Sequence, residues 1–309
     1  MRKRDLIRHI PGLSKVAKAL DDVEQLTTAN QQLTAEVQQL RNLLCQLIFA
    51  TEVSLVEDEM PSSIEGRDGL PVPAGFLRFL VAGTEDLNWF LHSGQRGAQT
   101  LVDVLARQGQ TLGQFQKILD FGCGCGRVLR HLKGMTGAEV YGTDSNPRVI
   151  QWCERYLGFA QFRVNSLKPP LPYPDNMFDL IYAFSIFTHL TQPLQARWMD
   201  ELRRVLVPGG LLILTVHGDK CAEGLPPADL LEYHKGKLVV RQPDVVGTNY
   251  CMAFHPEGYI RSVLARDFEV VDFIPEGAKG NPPQDAYLMR SPANQALHPT
   301  GRDNRIPGD

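Results

Sequence analysis

Residues 118–127 read ILDFGCGCGR, an apolar run that leads into three glycines at alternate positions. The apolar run, Lys117–Phe121, predicts a short buried β-strand. Glycine allows positive φ angles and lets a ligand approach the backbone closely, so the glycines predict a ligand-binding turn. We predict a helix over Arg127–Lys133, with its first N–H groups available to a carboxylate or phosphate. The segment therefore indicates a strand, a turn that binds a ligand, and a helix.

An acidic residue further along narrows the kind of ligand. Asp144 follows the next predicted strand, Glu139–Thr143, and lies 22 residues after Gly122. That spacing suits a carboxylate that accepts both hydroxyls of a ribose, so the ligand is predicted to be a cofactor with a nucleoside. A nicotinamide dinucleotide is disfavoured, because Arg127 stands where its fingerprint needs a third small residue. A Walker loop is excluded, because no Gly-Lys-Ser/Thr occurs here.

The chain around the loop alternates strand and helix patterns. The predicted strands are Lys117–Phe121, Glu139–Thr143, Gln161–Val164, Asp179–Phe184, Leu211–Val216, Phe268–Ile274 and Ala286–Arg290. Helices are predicted to begin at Asn146-Pro147 and Pro256, and another has Leu194, Trp198, Leu202, Val205 and Leu206 on its apolar side. This alternation predicts a doubly wound α/β fold around a parallel sheet.

Two flanking regions have weaker patterns. Thr84 is predicted to cap a short helix over Glu85–Leu91, and Ser93 or Gly94 to open a second helix that reaches Leu105. Residues 221–250 are predicted to be irregular.

The motifs together resemble those of class I S-adenosylmethionine-dependent methyltransferases. The first motif of that family is an acid, one residue and G-x-G-x-G. Asp120, Gly122, Gly124 and Gly126 match it in full. Further matches are Val140–Asp144, Phe178–Tyr182 and Leu202–Leu214 with its VPGG turn, so the resemblance covers roughly residues 75–290. It implies a seven-stranded, mostly parallel, Rossmann-like sheet with the last strand antiparallel, and S-adenosylmethionine as cofactor.

The resemblance also implies roles for individual residues. Asp120 would steady the loop and the amino group of methionine. The loop, with Gly122, Cys123, Gly124 and Gly126, would line the methionine and ribose, and Cys123 reads as a small loop filler. Asp144 would hold the ribose, with Ser145 and Asn146 beside the adenine. Asn165 and Ser166 stand where many members place an acid on the adenine amino group, and an amide or hydroxyl can serve there.

Two histidines are candidates for a general base. His189 follows the fourth predicted strand and His217 ends the fifth, and ligands bind at the carboxyl ends of strands in such sheets. A base helps if the methyl acceptor is a hydroxyl. Both histidines also have a purely structural interpretation, and His255 reads as a cap before Pro256. Arg127 is either a solvated first-turn residue or a contact to a carboxylate of the substrate or cofactor.

A heptad repeat precedes the α/β region. Its a positions are Val16, Val23, Asn30, Val37 and Leu44, and its d positions are Ala19, Leu26, Leu33, Leu40 and Leu47. Nearly five heptads without Pro or Gly predict a parallel two-stranded coiled coil, and hence a homodimer through residues 16–47. The alternative is one amphipathic helix packed on its own chain. The expected organisation is a coiled-coil helix (1–55), a linker and helical cap (56–99), a methyltransferase domain (100–290) and a disordered tail (291–309).

Composition restricts the remaining possibilities. With 32 basic and 35 acidic residues in 309, no strong field attracts nucleic acid or a membrane surface. Six cysteines without a CxxC pair predict neither a disulfide framework nor a metal site, and no signal peptide is expected, so a cytoplasmic location is predicted. We predict a methyltransferase acting on a small molecule or a glycan, with a hydroxyl as the preferred acceptor group. The alternatives are an NAD-dependent oxidoreductase and a non-catalytic coiled-coil adaptor.

Overall fold

A computed structural model describes residues 14–50, 62–66, 68–279 and 282–293. The chain divides into two units after residue 55. In the first unit, α1 (Ser14–Ala50) is one continuous helix that covers every position of the heptad repeat. Pairing of this helix stays a prediction. Most of the predicted tail, from residue 294 onward, lies outside the described residues, as does the region from residue 51 to residue 61.

The second unit opens with a small antiparallel pair, β1 (Ser62–Glu65) and β2 (Pro71–Val72), followed by α2 (Gly75–Ala82) and α3 (Leu87–Ala106). The remaining strands are β3 (Lys117–Phe121), β4 (Glu139–Asp144), β5 (Gln161–Val164), β6 (Phe178–Ala183), β7 (Leu206–Val216), β8 (Val239–Arg241), β9 (Met252–Phe254), β10 (Glu269–Ala278) and β11 (Gln284–Arg290). The remaining α-helices of the described residues are α4 (Pro147–Tyr156), α5 (Gln192–Val205), α6 (Asp219–Ala222), α7 (Pro227–His234) and α8 (Glu257–Tyr259), which continues as a π-helix over Ile260–Leu264.

Seven strands form one sheet in the order β10-β11-β7-β6-β3-β4-β5. Strands β3 to β7 pair in parallel, and β11 lies antiparallel between β7 and β10. Six strands therefore run in one direction and the last strand of the chain runs against them. This confirms the predicted fold class, and it gathers the carboxyl ends of β3, β4, β5, β6 and β7 along one edge.

Apolar side chains cover both faces of the sheet. On one face, Ile118 of β3 belongs to a core with Leu101 of α3 and Trp152 of α4. On the other face, Leu119 of the same strand packs in a core with Trp198 of α5. Successive residues of a strand point to opposite faces, so a strand apolar at every position is one buried on both sides. Over the described residues, no helix combines the length and apolar character that crossing a membrane requires.

The prediction for the segment before β3 was wrong. A single helix, α3, replaces the two short ones, and Asp86 rather than Thr84 caps it by accepting a hydrogen bond from the Trp89 N–H at 2.9 Å. Gly94 lies inside the helix, where a Cβ would come within 2.1 Å of the Arg127 carbonyl oxygen. Gly94 therefore permits close packing against the glycine loop and does not begin a helix.

Two further predictions need correction. The segment after the glycine loop forms turns and a short 3₁₀-helix over Leu129–Leu132 in place of the helix expected over Arg127–Lys133. Four residues of the segment 127–133 are buried, and one of them is the charged Arg130. Residues 221–250 are not irregular throughout, because α7 and β8 form within them and β8 pairs with β9.

A buried ion pair joins the start of this unit to the segment after the loop. The side chain of Arg130 is fully buried, and its Nε and Nη2 donate to the two carboxylate oxygens of Asp68 at 2.6 and 2.9 Å. Nη2 also donates to the Leu70 carbonyl at 3.0 Å. A buried charge left without its partner is strongly destabilising, so this pair is a sensitive point of the fold.

We expect Asp68→Asn to lower the free energy of unfolding by about 2–3 kcal/mol, because Arg130 stays buried and charged. Burial raises the pKa of Asp68, but the hydrogen bonds and charge of Arg130 lower it below its ordinary value of 3.8. The contribution of this ion pair to the free energy of unfolding is therefore complete above pH 3.8 and is lost as the pH falls through the lowered pKa. Urea unfolding of both proteins at about pH 7 and about pH 3 measures this. Asp175→Asn, which removes an exposed ion pair with Arg204, is the control. If Asp68→Asn lowers the free energy of unfolding equally at both pH values, the ionised carboxylate is not what stabilises the fold.

Candidate functional site

The glycine loop lies at the carboxyl end of β3, and its three glycines adopt positive φ angles. The φ values are 81° at Gly122, 53° at Gly124 and 68° at Gly126. A Cβ at these positions would come within 2.0 Å of Ile186, 2.6 Å of Val81 and 2.4 Å of Leu157, respectively. The loop therefore needs glycine for both its backbone conformation and its packing. The N–H groups of Gly122 and Cys123 both donate to the Thr143 carbonyl at 2.8 Å, which ties the loop to the end of β4.

Asp144 ends β4 directly beside the loop. One carboxylate oxygen accepts from the Gly124 N–H at 2.9 Å, and the other accepts from the Asn146 N–H at 2.8 Å. Burial raises the pKa of Asp144 above its ordinary value of 3.8, and these backbone donors offset that rise only in part. Each oxygen has a further lone pair, so the carboxylate can also accept the hydroxyls of a ribose. The partly buried Ser145 begins the turn that follows. The Asn146 side chain caps α4 by accepting from the Arg148 N–H at 3.0 Å.

Asn165 follows β5 and is held next to Asp144. Its backbone N–H donates to the Asp144 carbonyl at 3.0 Å, and its Nδ2 donates to the carbonyl of the exposed Ser166 at 2.8 Å. Its Oδ1 is buried and has no hydrogen-bond partner among the described residues. Buried acceptors are normally satisfied, so an amino group is a fitting partner for this oxygen. Adenine carries such a group, and the pair of Asp144 and Asn165 therefore fits an adenosine.

Asp120 lies under the loop and is only 4% exposed. Burial raises its pKa to about 7, although the nearby Tyr182 hydroxyl and the Arg127 charge act in the opposite direction. The buried carboxyl therefore holds its proton far more readily than an exposed aspartate does. Cys123 is also buried, and burial together with the neighbouring Cys153 raises the pKa of its thiol. The thiol stays protonated, which agrees with a filler role.

The two candidate histidines come together, with ring centroids 6.4 Å apart. Nδ1 of His189 donates to the Cys251 carbonyl at 2.7 Å, since a carbonyl can only accept. This bond places the proton on Nδ1 and leaves a lone pair on Nε2. Burial lowers the pKa of His189, so the ring is neutral at pH 7. His217 is more deeply buried, and burial and His189 lower its pKa to about 4. The geometry favours His189 over His217 as the base.

His255 has a structural role that differs from the expected cap. Its side chain is fully buried, and its Nε2 lies 3.0 Å from Nε2 of Gln195. The Gln195 amide also donates to the carbonyls of Phe187 and Leu190, each at 3.0 Å. Gln195 thereby fixes the short turn that carries His189. Nothing in the local sequence indicated this role, because it depends on a contact 60 residues apart.

A second set of polar residues was also missed. Ser185, just after β6, has a φ of 61°, a strained conformation for a residue with a side chain. Its N–H donates to the Thr215 hydroxyl at 2.9 Å, and its own hydroxyl accepts from Gln284 Nε2 at 2.8 Å. Thr215 donates in turn to Gln284 Oε1 at 2.6 Å. This closed set of bonds holds the turn that places Ile186 against Gly122.

The sheet order, the glycine loop and the residues that end β4 and β5 define a nucleoside-cofactor site on a doubly wound α/β fold. Residues 119–214 match the family model described as a methyltransferase domain. A sterol 24-C-methyltransferase of Gibberella zeae is 34% identical over 160 residues, which cover 46% of this chain and 39% of that protein. An uncharacterized methyltransferase of Synechocystis is 33% identical over 119 residues, 38% of this chain and 55% of that protein.

The chain is therefore similar to methyltransferases over residues 119–214, which agrees with the seven-stranded sheet and with S-adenosylmethionine as cofactor. It spans less than two thirds of the length of either curated relative. A solved S-adenosylmethionine-dependent methyltransferase from Methanosarcina mazei is 24% identical and covers 58% of this chain and 93% of its own, with a TM-score of 0.45. That likeness is too distant to add to the assignment.

Proposed function

We propose that this protein transfers a methyl group from S-adenosylmethionine to a hydroxyl of a small-molecule acceptor. The observation that carries the proposal is that Asp144 and Asn165, at the ends of adjacent strands, match the groups of an adenosine. Asp144 offers two carboxylate oxygens to a ribose, and Asn165 offers an unsatisfied amide oxygen to the adenine amino group. The loop beside them lets a ligand approach the backbone closely. The match to the methyltransferase-domain model supports the same cofactor.

The chemistry asked of the protein is modest. The cofactor supplies an electrophilic methyl group on a sulfonium. The protein must hold an acceptor in line with that methyl and take away the acceptor's proton. His189 suits the second task, because its Nδ1 bond to Cys251 leaves Nε2 free to accept a proton. Nε2 would receive the hydroxyl proton while the acceptor oxygen replaces the sulfonium sulfur on the methyl carbon. The methyl–sulfur bond would break in the same step and leave neutral S-adenosylhomocysteine.

A small organic acceptor is supported by two observations. Apolar side chains of Val81 and Ile186 lie against the glycine loop, which favours an acceptor with an apolar surface. The curated relative from Gibberella zeae is named a sterol 24-C-methyltransferase, so this likeness supports a lipophilic acceptor and not the hydroxyl itself. A glycan acceptor would instead need an array of polar groups around the loop. Assays that follow S-adenosylhomocysteine release with a panel of lipophilic alcohols and a panel of glycans distinguish the two classes.

The cofactor assignment gives a direct prediction. Asp144→Asn is expected to weaken S-adenosylhomocysteine binding by about tenfold or more, because a charge-assisted hydrogen bond contributes about 1.5–3 kcal/mol. Calorimetry of the purified protein measures this. The matched control is Asp179→Asn, since Asp179 also accepts from two backbone N–H groups, at 2.7 and 2.9 Å, but at the opposite end of the sheet.

The same calorimetry tests the alternatives. An NAD-dependent oxidoreductase would bind NAD and not S-adenosylhomocysteine. A non-catalytic adaptor would bind neither ligand. Either result would contradict the proposed function.

We further propose that α1 pairs in parallel with α1 of a second copy. Five of its heptad-core apolar side chains are exposed, namely Val16 (49%), Val23 (59%), Leu26 (69%), Leu33 (59%) and Leu40 (66%). A row of large aliphatic side chains at heptad spacing favours burial against a partner helix. Valine at three a positions with leucine at most d positions favours two strands.

A further inference from the structure

A buried amide holds the short turn that carries His189. Gln195 lies near the start of α5, and its side chain is fully buried. Its Nε2 donates to the carbonyls of Phe187 and Leu190, each at 3.0 Å. His189 lies between these two residues in the chain. One side chain therefore holds the backbone on both sides of the candidate base.

The backbone of this turn is held less firmly by its own hydrogen bonds. The Leu190 N–H donates to the Phe187 carbonyl at 3.4 Å, which is long for a hydrogen bond between N–H and oxygen. Short 3₁₀ turns have poor hydrogen-bond geometry in general. Since the Gln195 amide lies closer to the same carbonyl, at 3.0 Å, it is the stronger restraint at the end of the turn.

The surroundings of Gln195 allow one orientation of its amide. If the amide were rotated by half a turn, its oxygen would face the carbonyl oxygens of Phe187 and Leu190, and all three atoms can only accept hydrogen bonds. Nε2 of His255 lies 3.0 Å from the amide nitrogen, so it must be the ring nitrogen without a proton. The backbone N–H of His255 donates in turn to the His217 carbonyl at 2.8 Å. The amide is therefore fixed toward the two carbonyls.

A different segment holds the other side of His189. The Gly247 N–H donates to the His189 carbonyl at 2.9 Å, and Nδ1 of the ring donates to the Cys251 carbonyl at 2.7 Å. These two bonds orient the imidazole relative to residues 247–251. The direction of Nε2 therefore depends on two supports, which are residues 247–251 for the ring and Gln195 for the backbone that carries it.

We infer that Gln195 is a positioning residue, which acts through the turn to aim Nε2 of His189 at the hydroxyl of the acceptor. The inference rests on the proposed function, in which His189 takes the proton of that hydroxyl. A general base works only within hydrogen-bond reach of the proton that it removes. A misplacement of about 1 Å can cost roughly 10²-fold in rate, so a residue that never touches the acceptor can control the rate.

The test removes the donors of Gln195 and measures methyl transfer. Gln195→Met keeps a long uncharged side chain and loses both hydrogen bonds. With a lipophilic alcohol that the wild-type protein methylates, kcat should fall by roughly 10²-fold, and the KM for S-adenosylmethionine should stay unchanged. Gln195→Glu keeps the shape of the side chain and at most one donor, so it should also lower kcat. It replaces Gln195→Met in the test if that variant does not fold.

A double-mutant cycle separates positioning from general support of the fold. In the His189→Ala background, Gln195→Met should lower the rate no further, because no base is left to aim. The matched control is Glu201→Gln. Glu201 is another buried side chain of α5, and it accepts from the Leu171 N–H at 2.6 Å, in the loop before β6. This variant should lower the melting temperature and leave kcat unchanged.

Nitrogen NMR of the labelled imidazole gives a readout that needs no acceptor. In the wild-type protein the proton of His189 should stay on Nδ1. Gln195→Met should show both tautomers, because the loosened turn no longer keeps Nδ1 at the Cys251 carbonyl. Glu201→Gln should give the wild-type signal.

Three results would overturn the inference or its basis. A normal kcat in both Gln195 variants would show that the turn keeps His189 in place without the amide. An equal loss of rate with and without His189 would make Gln195 a support of the whole site. If the wild-type protein methylates no member of either panel, the proposed function fails, whereas a change of tautomer in Gln195→Met would still show that the amide orients His189.

Discussion

Replacing His189 with alanine should lower the rate of methyl transfer by roughly 10²–10⁴-fold while leaving cofactor affinity unchanged. The expected loss is large because Nε2 of His189 is the favoured base at the carboxyl edge of the sheet, with its tautomer fixed by Cys251. The measurement is single-turnover transfer to the acceptor identified by the panels, with calorimetry for the cofactor. The control is His234→Ala, which removes an exposed histidine at the end of α7.

The pH dependence gives a second signature of the same residue. Because burial lowers the pKa of His189 below its ordinary value of 6.5, the ring is already a base at neutral pH. The wild-type rate should therefore rise with pH below about 6.5 and be level above it. Nitrogen NMR of the imidazole should show the proton on Nδ1. A proton on Nε2, or near-normal turnover of His189→Ala, would contradict the role of His189 as the base. The protein would then contribute to catalysis only by aligning the acceptor with the methyl group.

Deleting residues 1–50 should convert a homodimer into a monomer that still binds S-adenosylhomocysteine. The apolar a and d positions of α1 are the surface that drives pairing in the proposal, and α1 forms a separate unit from the cofactor site. Light scattering of the full-length and shortened chains measures the change in mass. A full-length chain that is monomeric at tens of micromolar would reject the dimer.

The single polar core position refines that prediction. Asn30 is the only polar residue among the ten a and d positions. Two facing asparagines fix register and oligomer state at a cost in stability. Asn30→Val should therefore raise the melting temperature of the full-length protein and broaden its distribution of oligomers. Gln31→Val places the same side chain at the neighbouring b position, where it should change neither property.

The boundaries of two strands could be predicted from the sequence alone. The predictions for β3 and β5 agree with the structure at both ends. Helix α4 also begins as predicted, with Asn146 as its cap and Pro147 in its first turn. These features are local, since each depends on neighbours within a few residues. The adjacency of Asp144 and Asn165 was also accessible, because the carboxyl ends of parallel strands meet at one edge.

The errors arose where distant contacts decide the structure. Gly94 resembled a helix start, yet its lack of a side chain serves packing against Arg127. The segment after the loop resembled a helix, yet Arg130 turns inward to a carboxylate 62 residues earlier. The contacts of Arg127 with Ser93 and Trp89 and the bonds of Gln195 around His189 are likewise tertiary features. No pattern of residue types along the chain reports them.

The bond between Gln284 and Ser185 joins residues 99 positions apart. It follows that the turn beside Gly122 is completed only after β11 has emerged from the ribosome. Until then β7 is an edge strand with an apolar run, Leu211–Val216, and unpaired backbone groups along one side. That side of β7 is covered only when β11 pairs with it. Completion of the turn beside the cofactor loop and pairing of the β7 edge are therefore expected in the same folding step.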